Sequence, residues 1–417
     1  MKYFTTIFCV MITTWSLANE FHGYWKGDFM FKGSGWPMRM QIVQADDSLF
    51  AAVDFPSLVL AEMEIPARVN KDTLIVEMPF GVGTYHFQRK ADQLTPVGKS
   101  KNLTFRKCPK PPYQIESISW ESGDQILHGS LYLPDSSSRH PLLIRLHGSG
   151  TGNRSHWEYR SWGDYFARQG IATVVFDRRE SGDFELLAKD AVALIKAMKK
   201  RHDIDPNNII LNGGSQAAYI GFMANSLCDD VDYLLLSGVP AVSLIEQERQ
   251  SLIHRMRRNE EPQHEIDQAV GYQNLYFHYV MTGNNWSDLQ KAAIEAQNTK
   301  WAKYTDQPQK AEDMQWWRKN FNAFQPQVVI PKVRIPVLIL YGEQDAITPP
   351  SENIFHLKRY FDLAANSEYQ IKICPAVGHS LEVGMGYDRW GTLVFPQRSP
   401  AMFEAIERWL DRYGLRN

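Results

Sequence analysis

The stretch Asn208-Ile209-Ile210-Leu211-Asn212-Gly213-Gly214-Ser215-Gln216-Ala217-Ala218-Tyr219 decides how the rest of this 417-residue chain is read. An apolar run leads into two glycines and a serine, and the residues from Gln216 to Leu227 follow with a helical pattern. A serine at so sharp a strand-to-helix turn sits in strained backbone. Its neighbours two before and two after must therefore be small. Gly213 and Ala217 meet that need, with alanine where glycine is usual. The turn lifts the hydroxyl out of the sheet. It also sets the Gln216 N–H at a helix start, where an oxyanion would be received. By itself the pattern also suits a phosphate cradle or an ordinary glycine-rich loop.

Working outward, apolar strands alternate with helices. Leu142 to Leu146, Ala172 to Phe176 and Asn208 to Leu211 read as buried strands, as do Tyr233 to Leu236, Val337 to Leu340 and Tyr369 to Ile373. Helical stretches lie between them, from Tyr159 to Gln169 and from Leu186 to Arg201. Before them, Gln114 to Trp120 and Gly129 to Leu133 form a hairpin-like pair. Alternation of this kind predicts a mostly parallel sheet with helices on both faces. Residues of about 241–330 interrupt it with polar helical sequence carrying Trp286, Trp301, Trp316 and Trp317. Ligands bind such sheets at the carboxyl ends of the strands, so an insertion there is expected to act as a lid.

A serine nucleophile needs a base, and the base needs an orienting acid. Downstream, Val337-Leu338-Ile339-Leu340-Tyr341-Gly342-Glu343-Gln344-Asp345 is a strand that ends in a carboxylate. Tyr369 to Cys374 is another, and the loop after it carries Gly378-His379. The order Ser215, Asp345, His379 is the order this chemistry takes on such a sheet. Glu343 is the competing acid and His356 the competing base. The second oxyanion donor is expected from Leu146-His147-Gly148-Ser149-Gly150, at the N–H of Ser149 or of Gly150. His147 reads as a brace for that loop.

From Phe21 to about Lys107 the pattern is short alternating strands with turn residues between them, which predicts a small all-β domain over 19–108. Trp25, Trp36 and Tyr85 suit its core, or a surface on which sugars stack. Cys108-Pro109-Lys110-Pro111-Pro112 is a stiff joint to the larger domain over 109–417. At the front, one lysine, an apolar run and Ser16-Leu17-Ala18 have the form of a leader cut after Ala18, which predicts export to the periplasm or beyond. Cleavage leaves Cys108, Cys228 and Cys374, of which at least one must be a free thiol. No later segment has the ~20 apolar residues of a membrane span. Net charge is −2, with 44% hydrophobic and 22% charged residues, which does not suggest nucleic-acid binding, a coiled coil or disorder.

His147-Gly148-Ser149-Gly150, Asp177-Arg178-Arg179-Glu180, Asp205 to Ser215, Gly342 to Asp345 and Gly378-His379 together resemble an α/β hydrolase. They are similar to bacterial esterases of the dienelactone-hydrolase and serine-peptidase-like branch, some exported members of which carry a small β-domain in front. The resemblance covers about Tyr113 to Gly414. It implies an α/β-hydrolase fold with Ser215 as nucleophile, Asp345 as acid, His379 as base, and Ser149 and Gln216 at the oxyanion hole. It implies a small-molecule carboxylic ester as substrate, with no metal and no cofactor. Ala217 and Glu180 depart from the family's pattern. A peptidase of the same fold is an alternative, for which Glu246, Glu248, Glu260 and Glu261 would have to hold a substrate amine. These four read as solvated helix charges. A binding protein without catalysis is the other alternative. Oligomeric state is not set by any local pattern.

Overall fold

The fold is that of a computed structural model describing residues 20–416, apart from 32–33, 46–47, 59, 79–82, 99–102, 136–137, 151, 384–385, 388–392 and 395–396. The expected leader, residues 1–18, lies outside the described residues.

The alternating segments at the front close into an antiparallel barrel. It comprises β1 (Gly23–Phe31), β2 (Ser34–Ala45), β3 (Ser48–Phe55), β4 (Leu60–Asn70), β5 (Thr73–Met78), β6 (Gly83–Lys90), β7 (Gln93–Pro96) and β8 (Phe105–Cys108). Each strand pairs with the next and β8 returns to β1, so no edge is left unpaired. Period-two patterning turns one face inward, where Trp25, Phe29, Met38, Met40, Phe87 and Phe105 fill the interior. Trp25 and Trp36 are 0% and 9% exposed, and Tyr85 packs against Phe29 and Phe87. The two tryptophans are core, so the sugar-stacking reading of these aromatics is set aside.

The second unit is an eight-stranded sheet of β9 (Tyr113–Ser122), β10 (Gln125–Pro134), β11 (His140–Arg145), β12 (Ala172–Phe176), β13 (Ile204–Gly214), β14 (Tyr233–Ser237), β15 (Val337–Gly342) and β16 (Tyr369–Cys374). The order is β16-β15-β14-β13-β11-β12-β10-β9. The strands β11 through β16 run parallel, and β10 runs antiparallel to both of its neighbours, β12 and β9. Every residue of β12 and β15 is buried, as expected of strands covered on both faces.

The helices in chain order are α1 (Trp157–Ala167), α2 (Phe184–Met198), α3 (Gln216–Leu227), α4 (Leu244–Arg258), α5 (Gln263–Thr282), α6 (Trp286–Ala296), α7 (Gln315–Asn320), α8 (Pro326–Val329), α9 (Pro350–Leu363) and α10 (Pro400–Arg412). Alternate residues along each strand face opposite layers. Leu142, Ile144, Leu234 and Ile339 pack with α2, α3 and α9. Leu143, Ile210, Leu235 and Leu338 pack with α1 and α10. Helices α4 to α8 fall between β14 and β15; α4 to α7 share a core around Tyr272, Tyr276, Phe277, Trp301 and Met314, while Val329 of α8 packs on the core of the sheet.

The barrel docks on α1 through polar contacts. Arg39 and Arg168 reach Asp164 at 3.1 and 2.7 Å, and the Tyr113 hydroxyl donates to Asp164 at 2.6 Å. Arg160 pairs with Glu62 at 3.4 Å. Burial, and then the charge of Asp164, pushes the Asp54 carboxyl beside them up to about 7. Cys108, Cys228 and Cys374 are all free thiols.

Candidate active site

Ser215 follows the last residue of β13 and caps α3, with φ 57° and ψ −125°. A non-glycine residue in this region stores strain, which the surrounding structure must hold. The hold is steric: a Cβ added at Gly213 would lie 2.5 Å from the Ala217 Cβ. The two small residues thus touch across the turn. The Ser215 N–H donates to Ser237 O at 2.9 Å, which ties the turn to the end of β14. Gln216, the first residue of α3, is buried beside it.

The strand ends of β15 and β16 bring the acid and the histidine together. A Cβ at Gly342 would sit 2.1 Å from Gly378 O, so only glycine permits the approach of the two following loops. The N–H groups of Glu343 and Gln344 donate to Cys374 O and Val377 O, both at 2.9 Å. Asp345 Oδ2 then lies 2.8 Å from His379 Nδ1. Its other oxygen receives the N–H groups of Ile347 and Thr348 at 2.9 and 2.8 Å, and the Thr348 hydroxyl donates to Oδ2 at 2.6 Å. Burial is the largest influence on this carboxyl and pushes its pKa up. His379, and then the Thr348 donors, outweigh burial and leave it below the ordinary value. With Nδ1 given to Asp345, His379 presents Nε2 as an acceptor. Gly238, at φ 51°, makes room for the ring, because a Cβ there would meet His379 Cε1 at 2.8 Å.

Thr348 was not legible as part of the site. Its only sequence signal is a hydroxyl three residues after a strand-end aspartate. The competing acid, Glu343, instead accepts the Ala376 N–H at 3.0 Å and braces the histidine's loop. His356 stacks on Tyr360 within α9.

Ser149, Gly150, Ser215 and His379 line one cavity of about 450 Å³, together with residues of α1 and the loop before α10. His147 is buried, with Nε2 2.7 Å from Phe176 O, and burial holds its pKa down at about 3. It is a neutral brace beneath the loop. Arg178 Nη1 takes up the Gly148 carbonyl at 2.9 Å. Among the described residues no hydrogen bond joins Ser215 to His379; they share the cavity wall.

The four glutamates of the helical insertion do not line this cavity. Glu246 pairs with Arg249 at 3.0 Å and Glu261 with Lys303 at 2.8 Å. Glu248 corrects the expectation of a solvated charge. It lines a separate cavity of about 270 Å³ within the insertion, with Arg255, Tyr272 and Tyr276. Burial there, opposed by Arg255, raises its carboxyl to about 7. Among the described residues no group of three or more His, Cys, Asp or Glu is gathered as a metal would require, and no helix is long and apolar enough to cross a membrane.

Residues 143–389 match the family described as the Alpha/beta hydrolase family. The chain is 29% identical over 132 residues to the quorum-quenching protein AidA of Acinetobacter baumannii (strain MDR-ZJ06). That match takes in 28% of this chain and 40% of that protein, so the chain spans less than half of this relative's length. Among solved structures, an esterase of Pyrococcus furiosus superposes with a TM-score of 0.43 at 14% identity, covering 64% of this chain and 83% of that one. A puromycin-hydrolyzing peptidase of Mycobacterium tuberculosis gives 0.48 at 11%, covering 93% and 53%. The acylaminoacyl peptidase of Pyrococcus horikoshii gives 0.45 at 12%, covering 93% and 54%.

Proposed function

The chain belongs to the alpha/beta hydrolase family, and we propose that it is a serine hydrolase that cleaves carboxylic esters through an acyl-enzyme. The observation that carries this reading is the Asp345–His379 contact of 2.8 Å beside a serine held at φ 57° in the same cavity.

In this reading Ser215 Oγ attacks the ester carbonyl carbon while His379 Nε2 takes its proton. The N–H groups of Gln216 and of Ser149 or Gly150 receive the oxyanion. The C–O bond to the alcohol then breaks and His379 returns the proton to the leaving oxygen. Water enters, gives its proton to His379 and attacks the acyl carbon. Collapse breaks the bond from the acyl carbon to Ser215 Oγ, His379 returns the proton to that oxygen, and the acid leaves. Asp345 keeps the imidazole in one tautomer and stabilises its cation; its four donors keep it ionised while it does so. Losing one oxyanion donor would lower the rate by roughly 100- to 1000-fold.

The test is labelling by a fluorophosphonate, together with turnover of short 4-nitrophenyl esters. Ser215→Ala, folded by its melting curve, is expected to lose labelling and about a millionfold in kcat. Unchanged hydrolysis in that variant would overturn the assignment. The same preparation tests export: a mature chain beginning at Asn19 is the expected mass.

A further inference from the structure

The cavity wall holds two arginines in an arrangement that the reaction scheme does not use. Arg145 is the last residue of β11 and its side chain is 11% exposed. Arg398 lies just before α10 and is 5% exposed. Both guanidinium groups sit against Trp162 of α1, at 5.1 and 4.0 Å from its ring centre. Both line the cavity that Ser215 and His379 share.

Two cations buried against one ring repel each other and lose hydration, so their charge must be answered. Within the chain it is answered in part. Arg145 Nη1 donates to Asn212 Oδ1 at 2.8 Å, and Nη2 reaches Glu158 at 3.5 Å, but its Nε is buried without a partner. Arg398 Nη2 donates to Ser161 Oγ at 2.6 Å. Among the described residues no carboxylate lies within ion-pair distance of Arg398, although Glu158 and Glu382 are near enough to act on it. Burial raises the Glu382 carboxyl to about 7, which weakens it as a permanent counter-ion.

The position of Arg398 is built rather than incidental. Its backbone N–H donates to Ser57 O at 3.1 Å, and Gln397 bridges Leu58. Both partners belong to the turn between β3 and β4, so the front barrel itself fixes this arginine. On the other face of α1, Arg160 pairs with Glu62 and Asp164 with Arg39, both of the barrel, which locks the helix that carries Trp162.

We propose that Arg145 and Arg398 form a subsite for a carboxylate carried by the substrate, so that the ester cleaved at Ser215 is an anionic one. This rests on the serine-hydrolase reading above. Guanidinium is the group suited to a buried carboxylate, because its planar donors match the two oxygens and its charge persists on burial. An amine held by Glu158 and Glu382 is the weaker alternative. Glu158 is already engaged with Arg145, and burial favours the neutral form of Glu382. The barrel then has a stated role, holding the segment that carries one of the pocket's arginines.

The test uses the whole protein and two matched ester pairs. One pair is 4-nitrophenyl hemiglutarate against 4-nitrophenyl pentanoate, with the carboxylate on the acyl side. The other is 3-(butanoyloxy)benzoate against phenyl butanoate, with the carboxylate on the alcohol side. In one pair the anionic member is expected to have a kcat/KM about 30-fold higher, from charge-assisted hydrogen bonds. Arg398→Gln and Arg145→Gln are each expected to bring that ratio towards one. Calorimetry on the unmodified protein supplies a second measurement free of turnover and of variant folding: glutarate should bind and glutaramide should not. If Ser215-dependent hydrolysis is present but neither pair shows a preference, the subsite is refuted and the serine hydrolase stands. If neither labelling nor turnover occurs, the hydrolase reading falls, and glutarate that fails to bind refutes the subsite as well.

Discussion

The turn after β15 and the helical insertion between β14 and β15 each hold a carboxylate away from water, and the two are driven in opposite directions. Asp345 lies below its ordinary pKa, whereas Glu248 rises to about 7. Burial is the largest influence on both, and for both it pushes upward. The difference is the supply of donors. Asp345 receives two backbone N–H groups, a hydroxyl and an imidazole. Glu248 has Arg255 as its opposing charge, with Asp306 pushing the other way. A strand-end turn presents N–H groups to a side chain at its apex, while a helix interior spends them on its own carbonyls. Secondary structure, more than depth, decides which buried acid stays ionised.

The largest break in that comparison is Asp345→Asn. It keeps the shape but presents the wrong tautomer to His379 and removes the charge that stabilises the imidazolium. A fall of about 10⁴-fold in kcat on a short ester is expected, with the melting curve nearly unchanged. Thr348→Val is a smaller cut. It removes the hydroxyl 2.6 Å from Asp345 Oδ2 and 3.2 Å from His379 Nδ1 while keeping the volume. About a tenfold loss in kcat with KM little changed is expected, by analogy with other outer partners of reactive groups. Steady-state kinetics separates the two terms. A loss confined to KM would mean that Thr348 serves binding instead.

Thr348 also shows where sequence reading stops. Ser215 was legible because its requirement is local: small residues two before and two after, which Gly213 and Ala217 supply and whose contact the turn displays. Asp345 and His379 were legible from chain order and from following strands. Thr348 acts only because a turn folds its hydroxyl back onto a residue three before it, and no periodicity encodes that. Arg145 and Arg398 were missed for a stronger reason. They are 253 positions apart in the numbering, and the barrel turn at Ser57 that fixes one of them belongs to another unit. Glu248 was misread because a charged residue on a polar helix is usually solvated. Packing of Tyr272 and Tyr276 around it is a property of the insertion's own core. The alternating barrel and the continuous apolar strands of the sheet, by contrast, follow directly from whether one face or two must be buried.

Stability should follow pH with opposite signs in the two regions. The folded chain holds a proton on Glu248 between its ordinary 4.5 and about 7, where the unfolded chain has released it, so stability falls as pH rises through that window. For Asp345 the contribution is full above the ordinary 3.8 and is lost as pH falls through the lowered folded value. Glu248→Gln should raise stability at pH 8 by about 1 kcal/mol and leave it little changed at pH 4, since the glutamine mimics the protonated acid. Denaturant titrations at the two pH values check this. An equal shift at both would assign the effect to packing rather than to charge. The acid limb below pH 4 should be untouched by this variant and should weaken in Thr348→Val.

The smallest effect expected comes from cutting the link between the two regions. Gln247 is the residue before Glu248 in α4, and its Nε2 donates to Ile347 O at 3.0 Å, inside the turn that surrounds Asp345. Helix α4 therefore holds the acid's turn directly, although it supplies no donor to the acid itself. Gln247→Ala leaves one turn carbonyl to water or without a partner. A single neutral hydrogen bond of this kind contributes about 0.5 kcal/mol or somewhat more. The expected result is a fall of about twofold in kcat and a loss of stability of that size, read from the same ester assay and titration. If the donors around Asp345 alone set its geometry, kcat will not move at all. If kcat falls as far as in Thr348→Val, the insertion shares the work of placing the acid, and the contrast between the two regions gives way to a single coupled unit.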